Sequence, residues 1–389
     1  MKRIIEGFSY SAELLKRFTC SGVAVGVAAM VMKKGETVFC DYSGYADLAN
    51  RIPVGEDTIY RIFSMTKPVT VVALLKLYEQ GYFRMFDPVS KFLPQFGETR
   101  YYHPNSFSGF EVRKSDIPLE IGHLFTMTAG LPYPVAKYPS CARYKEVDIP
   151  PYGGDFPMEK LLEELGAEPL SCAPGSRFLY GYGTDVLGGV LEAITGMRLG
   201  DFMRREIFEP LGMKDTGFYL NEEQASRLSG IYEKGEDGAW REAVSYMRPP
   251  LVRPSFESGG AGLYSTMQDY NIFAQMLLKG GSYEGARILG RNTVRFMSSN
   301  HLTPAQLAAH STQKQRGYGY GLGVRVLTDP AQAGLNCLPG EFGWSGAAGT
   351  WFCVDPNFDM TALLMVQRIP GDSLELSLPF MAGIYANLD

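Results

Sequence analysis

A serine and a lysine three positions apart, Ser64 and Lys67, form the pattern in this chain that most clearly indicates chemistry. Pro68 and a nearly unbroken apolar run at residues 69–75 follow the lysine, and Gly81 closes the segment. This order predicts a buried helix with proline in its first turn and glycine just beyond its end. The serine then lies at the helix N-terminus, and the lysine lies one turn along the same face. Because a desolvated amine can take a hydroxyl proton, the two residues are a candidate nucleophile and base.

The Ser-x-x-Lys pattern occurs twice, and only its context separates the two copies. The second copy, Ser311 and Lys314, lies in a polar segment with no apolar run behind it, which is typical of a solvated loop. For Ser64 and Lys67 the alternative is an N-capping serine beside a surface lysine. The apolar helix that follows them favours catalysis over that alternative.

Length and composition narrow the class of protein. At 389 residues the chain exceeds the ~250–300 residues at which a single core usually stops growing, so two lobes are expected. Hydrophobic residues make up 45% and charged residues 20%, which predicts a large core rather than disorder. The net charge of -5, without a basic run, argues against a nucleic-acid partner. No export signal is visible, and the apolar run at residues 23–32 is too short for a membrane span, so we expect a cytoplasmic protein.

The six cysteines and four histidines show no metal-ligand spacing. Because nothing indicates secretion, the cysteines are expected to be free and mostly buried thiols. The sequence therefore predicts no metal site, and nothing in it implies an organic cofactor.

Strand patterns occur at both ends of the chain, and helix patterns occur in the middle. Strands are predicted at residues 23–32, 37–42, 320–327, 350–354 and 360–366. Helices are predicted at residues 156–165 and 187–194, and a last helix begins near residue 374 and contains Pro379. Residues 101–114 are interpreted as an excursion from the fold, and residues 132–154 as a long loop rich in proline and glycine.

This distribution predicts a mixed α/β fold, with an antiparallel sheet that is built from both chain termini and flanked by helices. A mainly helical lobe is expected beside the sheet. We expect residues 1–389 to form one unit, in which residues 1–81 and 255–389 make the α/β lobe and residues 82–254 make the helical lobe.

Several segments of the chain, in order, match the motifs of one known family. They are residues 62–68, 121–131, 174–183, 210–216 and 258–266. Together they resemble the serine β-lactamase/penicillin-binding-protein superfamily, in its class C β-lactamase-like carboxylesterase branch. The resemblance covers most of the chain, and its nucleophile motif coincides with Ser64 and Lys67. It implies a β-lactamase/transpeptidase-like fold and acyl transfer through that serine.

Tyr180 resembles the acid/base tyrosine of this family, because it lies in the place of the Tyr-x-Asn or Tyr-Ser motif. Nearby cations or donors would favour its phenolate and allow proton exchange with Ser64. The position normally held by asparagine is Tyr182, which is expected to line the substrate site. Literal Tyr-x-Asn matches at Tyr219 and Tyr385 are in the wrong place relative to the other motifs. The alternative for Tyr180 is an ordinary buried tyrosine with a satisfied hydroxyl.

The third motif of the family is normally Lys-Thr-Gly, and here its place is taken by Trp344, Ser345 and Gly346. The resemblance to esterase members implies that these three residues bind substrate. A lysine there helps to anchor a substrate carboxylate, whereas an indole offers apolar surface and one N–H donor, which suits a neutral group. The alternative is that Trp344 is plain core. By the same resemblance, the backbone N–H groups of Ser64 and Ala347 form the oxyanion hole.

The sequence therefore predicts a serine hydrolase that cleaves small uncharged carboxylic esters through an acyl-enzyme on Ser64. Lys67 and Tyr180 together move the proton, and a small-molecule ester is the expected partner. The alternatives are a β-lactamase or D-Ala-D-Ala peptidase, an acyltransferase to an alcohol, and a non-catalytic binding protein. The missing cation of the third motif argues against a β-lactamase or peptidase. The presence of Ser64, Lys67 and Tyr180 argues against a non-catalytic binding protein. The natural acyl and alcohol groups and the oligomeric state stay open.

Overall fold

The computed structural model describes residues 2–4, 7–105, 109–134, 138–150, 152–247, 250–310, 315–371 and 373–388. Its strands are β1 (Arg3–Ile4), β2 (Gly26–Lys33), β3 (Glu36–Asp47), β4 (Ile52–Pro53), β5 (Ile59–Arg61), β6 (Arg100–Asn105), β7 (Gly109–Lys114), β8 (Tyr232–Lys234), β9 (Trp240–Glu242), β10 (Tyr264–Thr266), β11 (Ser282–Tyr283), β12 (Ala286–Arg287), β13 (Tyr318–Tyr320), β14 (Arg325–Leu327), β15 (Phe342–Ser345), β16 (Trp351–Asp355), β17 (Met360–Val366) and β18 (Arg368–Ile369). Its helices are α1 (Ser9–Cys20), α2 (Thr66–Glu79), α3 (Ile121–Phe125), α4 (Ser140–Glu146), α5 (Met158–Ala167), α6 (Gly183–Thr195), α7 (Leu199–Met203), α8 (Glu209–Leu211), α9 (Glu222–Ser226), α10 (Met267–Leu278), α11 (Arg291–Met297), α12 (Pro304–His310), α13 (Pro330–Ala333) and α14 (Ser373–Tyr385).

The strands near the two ends of the chain form one antiparallel sheet. Its strand order is β1-β3-β2-β17-β16-β15-β14-β13, and β4 pairs with β3. The early and late strands meet where β2 pairs with β17, from Val27 opposite Val366 to Lys33 opposite Met360. The predicted mixed α/β fold, with a sheet built from both termini, is confirmed.

Helices cover both faces of this sheet, as β17 shows at its centre. Successive residues of a strand point to opposite faces, so its side chains divide into two sets. Leu363 and Met365 belong to the core that contains α2 and α10, while Ala362 and Leu364 pack in the core that contains α1 and α14. Every residue of β17 is buried, which explains why its sequence is apolar throughout rather than alternating.

Helix α2 begins two residues after Ser64 and runs through the core. Pro68 lies in its first turn, where a missing N–H costs little. Gly81 adopts a φ of +78° just beyond the C-terminal end, a conformation that favours glycine. Residues 66–75 are all buried, because the helix packs against α6 and α7 and belongs to the core on one face of the sheet. The predicted buried helix, with its early proline and terminal glycine, is confirmed.

The middle of the chain is rich in helices but also contains strands. Helix α6 covers the helix predicted at residues 187–194, and α5 lies two residues later than the helix predicted at residues 156–165. Strands β6 and β7 form a hairpin in the segment that was interpreted as an excursion. Strand β8 pairs with β9 and, in parallel, with β18 from the C-terminal region. The division into lobes at residues 81 and 254 stays a prediction.

Parts of the secondary-structure prediction are wrong. The strand expected at residues 320–327 is two strands, β13 and β14, because glycines turn the chain between them. Gly321 N donates to Val324 O at 2.8 Å, and Gly323 has a φ of +73°. The long loop expected at residues 132–154 contains α4, and the amino end carries α1 ahead of its first long strand.

All six cysteines are free thiols, and five of them are buried while Cys20 is exposed. The prediction of free, mostly buried thiols is therefore confirmed. None of the helices in the described part of the chain combines the length and the apolar character that a membrane span needs.

Candidate active site

Ser64 lies in a short 3-10 turn, Phe63–Met65, that leads directly into α2. Phe63 adopts a φ of +43°, a region that costs a non-glycine residue on the order of 1–3 kcal/mol. The Phe63 ring is buried and packs edge-on against Tyr152 and Tyr246, with centroid distances of 5.2 and 6.5 Å. This packing offsets the backbone strain, so the aromatic cluster holds the turn that carries Ser64 in place.

The turn after β15 packs directly against the backbone that precedes Ser64. Thr350 Oγ1 donates to Ile62 O at 3.4 Å, and a Cβ atom at position 346 would come within 2.5 Å of the same oxygen. Glycine is needed at this close approach because it has no Cβ atom. Gly346 N donates to Thr350 O at 2.7 Å, a bond that closes the turn without involving the N–H of Ala347. The structure therefore holds the Ser64 and Ala347 segments together.

The Lys67 side chain is fully buried, and its amine has three hydrogen-bond partners. Nζ donates to Gly260 O at 2.7 Å, to Tyr133 Oη at 3.0 Å and to Ser64 Oγ at 3.3 Å. An ammonium group has three N–H donors, so these acceptors match its full capacity. The structure thus brings the predicted serine and lysine together, and it shields the lysine from water.

A buried carboxylate, Asp185, organises the groups around Lys67. Its Oδ1 accepts hydrogen bonds from Ser258 Oγ at 2.6 Å and from Gly260 N at 2.9 Å, and its Oδ2 accepts one from Tyr133 Oη at 3.4 Å. Burial raises the pKa of Asp185, while the charge of Lys67 and these hydrogen bonds oppose the rise. Sequence analysis missed Asp185, although the segment that supplies Ser258 and Gly260 was recognised.

Tyr133 is a second residue that sequence analysis missed, and its hydroxyl lies between the amine and the carboxylate. It accepts from Lys67 Nζ and donates to Asp185 Oδ2. Burial and the negative charge of Asp185 raise the pKa of Tyr133 well above the usual value of a phenol, so its hydroxyl keeps its proton at neutral pH. The signal was its position, two residues after the motif at residues 121–131 and inside the segment that was interpreted as a loop.

Tyr180 presents its ring to the Lys67 amine and packs edge-on against Tyr133, with a centroid distance of 5.8 Å. Nζ is 4.5 Å from the ring centroid, which is a cation–π contact. The Tyr180 hydroxyl accepts a hydrogen bond from Trp344 Nε1 at 3.2 Å, and the two rings lie 5.6 Å apart. The structure therefore places Tyr180 and Trp344 together beside Lys67, and the indole N–H is directed at the predicted acid/base hydroxyl.

An open cleft of about 410 Å³ gives access to Ser64. Tyr180 and Trp344 form one part of its wall, and residues 345–347 form the part next to the serine. Phe178 and His310 also line the cleft. The predicted substrate-binding residues Trp344, Ser345 and Gly346 thus face the same space as the candidate nucleophile. Phe178, Tyr180 and Trp344 give the cleft aromatic surface, and none of its described lining residues is a lysine or an arginine.

Tyr182 does not have the position that was predicted for a substrate-binding residue. Its side chain is 0% exposed, and its hydroxyl donates to Ile149 O at 3.3 Å. Its ring packs edge-on against Tyr133 with a centroid distance of 4.7 Å. The physical reason is that Tyr182 immediately precedes α6 and points into the helical core, so it supports Tyr133 rather than reaching the cleft.

The other candidate matches lie away from this cleft or outside the described residues. Tyr385 lies at the end of α14, where its hydroxyl donates to Asp355 Oδ2 at 2.7 Å, and Tyr219 lies on the surface. Ser311 and Lys314, the second copy of the Ser-x-x-Lys pattern, fall outside the described residues.

The geometry supports nucleophilic chemistry at a hydroxyl. The Lys67 amine contacts the Ser64 hydroxyl and both tyrosines, and the serine faces an open cleft. Such a group can remove a proton from the serine, hold it and deliver it to a leaving group. The strained turn and the close packing of residues 346–347 add two backbone segments that can approach a developing oxyanion.

Comparison with known proteins gives a family match over nearly the whole chain. The family model described as Beta-lactamase matches residues 12–381. Protein Rv1367c of Mycobacterium tuberculosis is 32% identical over 375 residues, which cover 94% of this chain and 90% of that protein.

Two further comparisons concern esterases and hydrolases. Esterase EstB of Burkholderia gladioli is 31% identical over 388 residues, which cover 93% of this chain and 91% of the esterase. Among solved structures, EstCE1, a hydrolase with promiscuous acyltransferase activity, superposes with a TM-score of 0.83 at 24% identity. The superposition covers 98% of this chain and 99% of EstCE1, so the two chains share the fold from end to end.

Proposed function

The chain belongs to the beta-lactamase family of serine hydrolases, and from this premise we propose that it cleaves small, uncharged carboxylic esters through an acyl-enzyme on Ser64. The observation that carries the proposal is the buried Lys67 amine, which lies 3.3 Å from the Ser64 hydroxyl and 3.0 Å from the Tyr133 hydroxyl. A lysine held without water contact beside a hydroxyl at the mouth of a cleft is an arrangement suited to covalent catalysis.

In this proposal Ser64 Oγ attacks the ester carbonyl, and its proton passes to Lys67 and Tyr180, which in the reactive state hold one proton fewer than an ammonium and a phenol together. Tyr133 keeps its own proton and positions the amine. Lys67 and Tyr180 return a proton to the departing alcohol, so the C–O bond breaks and an acyl-enzyme is left on Ser64. Water then attacks the acyl-enzyme, and its proton returns to Ser64 by the reverse path. The backbone N–H groups of Ser64 and Ala347 stabilise the oxyanion in both steps.

The preference for an uncharged substrate is inferred from Trp344. The indole contributes apolar surface to the cleft, and its N–H donates to Tyr180 instead of to a substrate carboxylate. A carboxylate-bearing lactam or peptide would enter a cleft whose described lining offers no cation to pair with it, which costs free energy. The name of the relative EstB, an esterase at 31% identity, supports the same choice.

A panel of chromogenic esters tests the substrate class. We expect 4-nitrophenyl esters of rising acyl length to be hydrolysed with kcat/KM at least about 100-fold above that of a chromogenic cephalosporin or a D-Ala-D-Ala peptide. Hydrolysis of the cephalosporin at the rate of the best ester would instead favour β-lactamase activity.

Replacement of Trp344 by lysine is expected to weaken hydrolysis of apolar esters, because a charge is placed beside apolar cleft surface. The new cation should raise affinity for carboxylate-bearing lactams by about 1.5–3 kcal/mol if it forms a charge-assisted hydrogen bond. The measurement is KM and kcat for the ester panel and Ki for a cephalosporin.

Two further variants interpret the Trp344→Lys result. Trp344→Phe keeps the apolar surface but removes the N–H that reaches Tyr180, so it separates the indole's packing from its hydrogen bond. Trp240→Lys is the matched control, because Trp240 lies in the β8–β9 hairpin and stacks with Lys234. An ester profile that is the same in Trp344→Lys and wild type would return Trp344 to a role in core packing.

A further inference from the structure

One wall of the cleft carries a buried histidine whose hydrogen-bonding groups are unused. His310 is 1% exposed, and neither Nδ1 nor Nε2 has a hydrogen-bond partner among the described residues. His310 lines the same cleft as Ser64, Tyr180 and Trp344. An imidazole in this state is rare, because buried polar groups in folded proteins nearly always have partners.

The described neighbours of His310 are aromatic rings, and they offer no hydrogen bond to its nitrogens. Its ring lies 4.5 Å from the Phe178 ring in an edge-on contact and 5.9 Å from the Tyr320 ring. The Tyr320 hydroxyl is also buried without a partner, and the Tyr320 ring packs 5.2 Å from Trp344. Two adjacent side chains therefore each keep an unused polar group within one aromatic cluster, in which His310 lines the cleft and Tyr320 is fully buried.

We propose that His310 forms a subsite that binds an uncharged hydroxyl or carbonyl group of the substrate ester. This group is separate from the carbonyl that Ser64 attacks. This inference rests on ester hydrolysis at Ser64 as proposed above, and it names the class of ester. A neutral imidazole has one donor and one acceptor, which matches a hydroxyl in either direction and a carbonyl in one. Both nitrogens are covered in the structure, so the imidazole has to turn toward the cleft as the ester binds. A substrate group of this kind would then supply the hydrogen bond that the protein does not.

The surroundings of His310 favour an uncharged partner. Burial lowers the pKa of His310 to about 4, so the ring is neutral at the pH of an ordinary assay. Apart from His310 itself, no carboxylate or basic side chain is among the described residues that line this cleft. A charged ligand group would lose its hydration here without gaining an ion pair, whereas a neutral hydroxyl would gain a hydrogen bond.

The test compares esters that differ only by a hydroxyl in place of a methyl group. One arm uses 4-nitrophenyl 3-hydroxybutanoate against 4-nitrophenyl 3-methylbutanoate, and analogous pairs place the group farther along the acyl chain. A second arm uses butanoate esters of 1,2-propanediol and of 2-methyl-1-propanol, which places the hydroxyl on the alcohol side. We expect wild type to prefer the hydroxyl member of at least one pair by about tenfold or more in kcat/KM.

Two variants at His310 assign that preference to the imidazole. His310→Phe keeps an aromatic ring against Phe178 but removes both nitrogens, so the hydroxyl-to-methyl ratio should fall about tenfold or more. His310→Gln keeps a donor and an acceptor and should retain part of the ratio. Because an unpaired polar group is removed, His310→Phe should also melt at the same or a higher temperature than wild type.

The matched control is His301→Phe, since the His301 ring bonds through Nε2 to Phe296 O at 2.7 Å. It should keep the wild-type ratio. A wild type that hydrolyses the methyl esters but shows no hydroxyl preference in either arm would overturn the subsite. So would an unchanged ratio in folded His310→Phe. Failure of the proposed function looks different, because then neither member of any pair is hydrolysed in a Ser64-dependent way.

Discussion

Replacement of Ser64 by alanine is expected to lower kcat/KM for the best ester by about 10⁴-fold or more, while the melting temperature stays close to that of wild type. The expectation follows from the geometry. Among the described residues, only Ser64 both lines the cleft and accepts a hydrogen bond from the Lys67 amine. Removing one oxygen from a half-buried side chain leaves no large cavity, so the fold should persist.

The Ser64→Ala result is read with two companion measurements. Intact-mass spectrometry of wild type with a slow ester should show the mass of one acyl group, and Ser64→Ala should show none. Ser311→Ala, in the second copy of the Ser-x-x-Lys pattern, is the control and should hydrolyse esters at the wild-type rate. Comparable rates in Ser64→Ala and wild type would contradict the assignment of Ser64 as the nucleophile.

The sheet and the central helix were predictable because their signals are local and strong. The apolar run of β17 marks a strand that is buried on both faces, and the structure gives Met360–Val366, the predicted bounds. The helix after Ser64 was predictable because proline and glycine mark its two ends. By contrast, Gly321 and Gly323 divided an expected strand in two, since a turn of a few residues interrupts an apolar pattern only slightly.

The candidate site was predictable only where a motif carried it. Ser64, Lys67, Tyr180 and Trp344 were found from their sequence context, and the structure brings them together. Tyr133 and Asp185 were missed because their importance arises from tertiary contacts across 66 and 75 positions of sequence. No spacing rule indicates a phenol that reaches a lysine from a distant segment of the chain.

Tyr182 illustrates the opposite error. Its place in the tyrosine motif suggested a position in the cleft, yet it is fully buried and supports Tyr133. The backbone explains the difference, because Gly181 lies against Leu131 O, where a Cβ atom would come within 1.9 Å. That close approach directs the chain inward at position 182, and a sequence motif does not contain this information.

Replacement of Lys67 by methionine is expected to lower kcat/KM by about 10³-fold or more, and also to destabilise the fold. The rate falls because the group that accepts the serine proton is lost. The stability falls because the buried Asp185 loses the nearby positive charge that opposes its desolvation. Lys76→Met is the matched control, since Lys76 lies on the same helix and pairs with Glu206 near the surface.

The pH dependence of the melting temperature tests the loss of stability in Lys67→Met separately from the loss of catalytic rate. Burial already raises the pKa of Asp185 above its ordinary value of 3.8, and removal of Lys67 should raise the pKa further. A carboxyl whose pKa is raised in the folded state binds its proton more tightly there than in the unfolded state. Its contribution therefore destabilises the fold as pH rises above 3.8, and Lys67→Met should lose melting temperature relative to wild type over that rise.

The two tyrosines beside Lys67 make different predictions for the proton path. Tyr133→Phe removes the hydroxyl that bonds the amine directly, whereas Tyr180→Phe removes a hydroxyl that bonds Trp344. If the three residues act as one unit, each single change loses most of the activity and each double change with Lys67→Met loses little more. Tyr144→Phe, another buried tyrosine of the helical core, is the control and should leave the rate within about threefold of wild type.

The single and double variants together decide which tyrosine takes part in the proton transfer. The short contact from Lys67 Nζ to Tyr133 Oη favours Tyr133 as the group that positions the amine, because its hydroxyl is also tied to the buried carboxylate. Tyr180 has no bond to a carboxylate among the described residues, and it lines the cleft through which a leaving group would pass. We therefore expect Tyr180→Phe to lower kcat most for esters with poor leaving groups, and Tyr133→Phe to lower it equally for all esters. Fully additive losses in the double variants would show that the residues act in separate steps, and a wild-type rate in Tyr180→Phe would remove Tyr180 from the proton path.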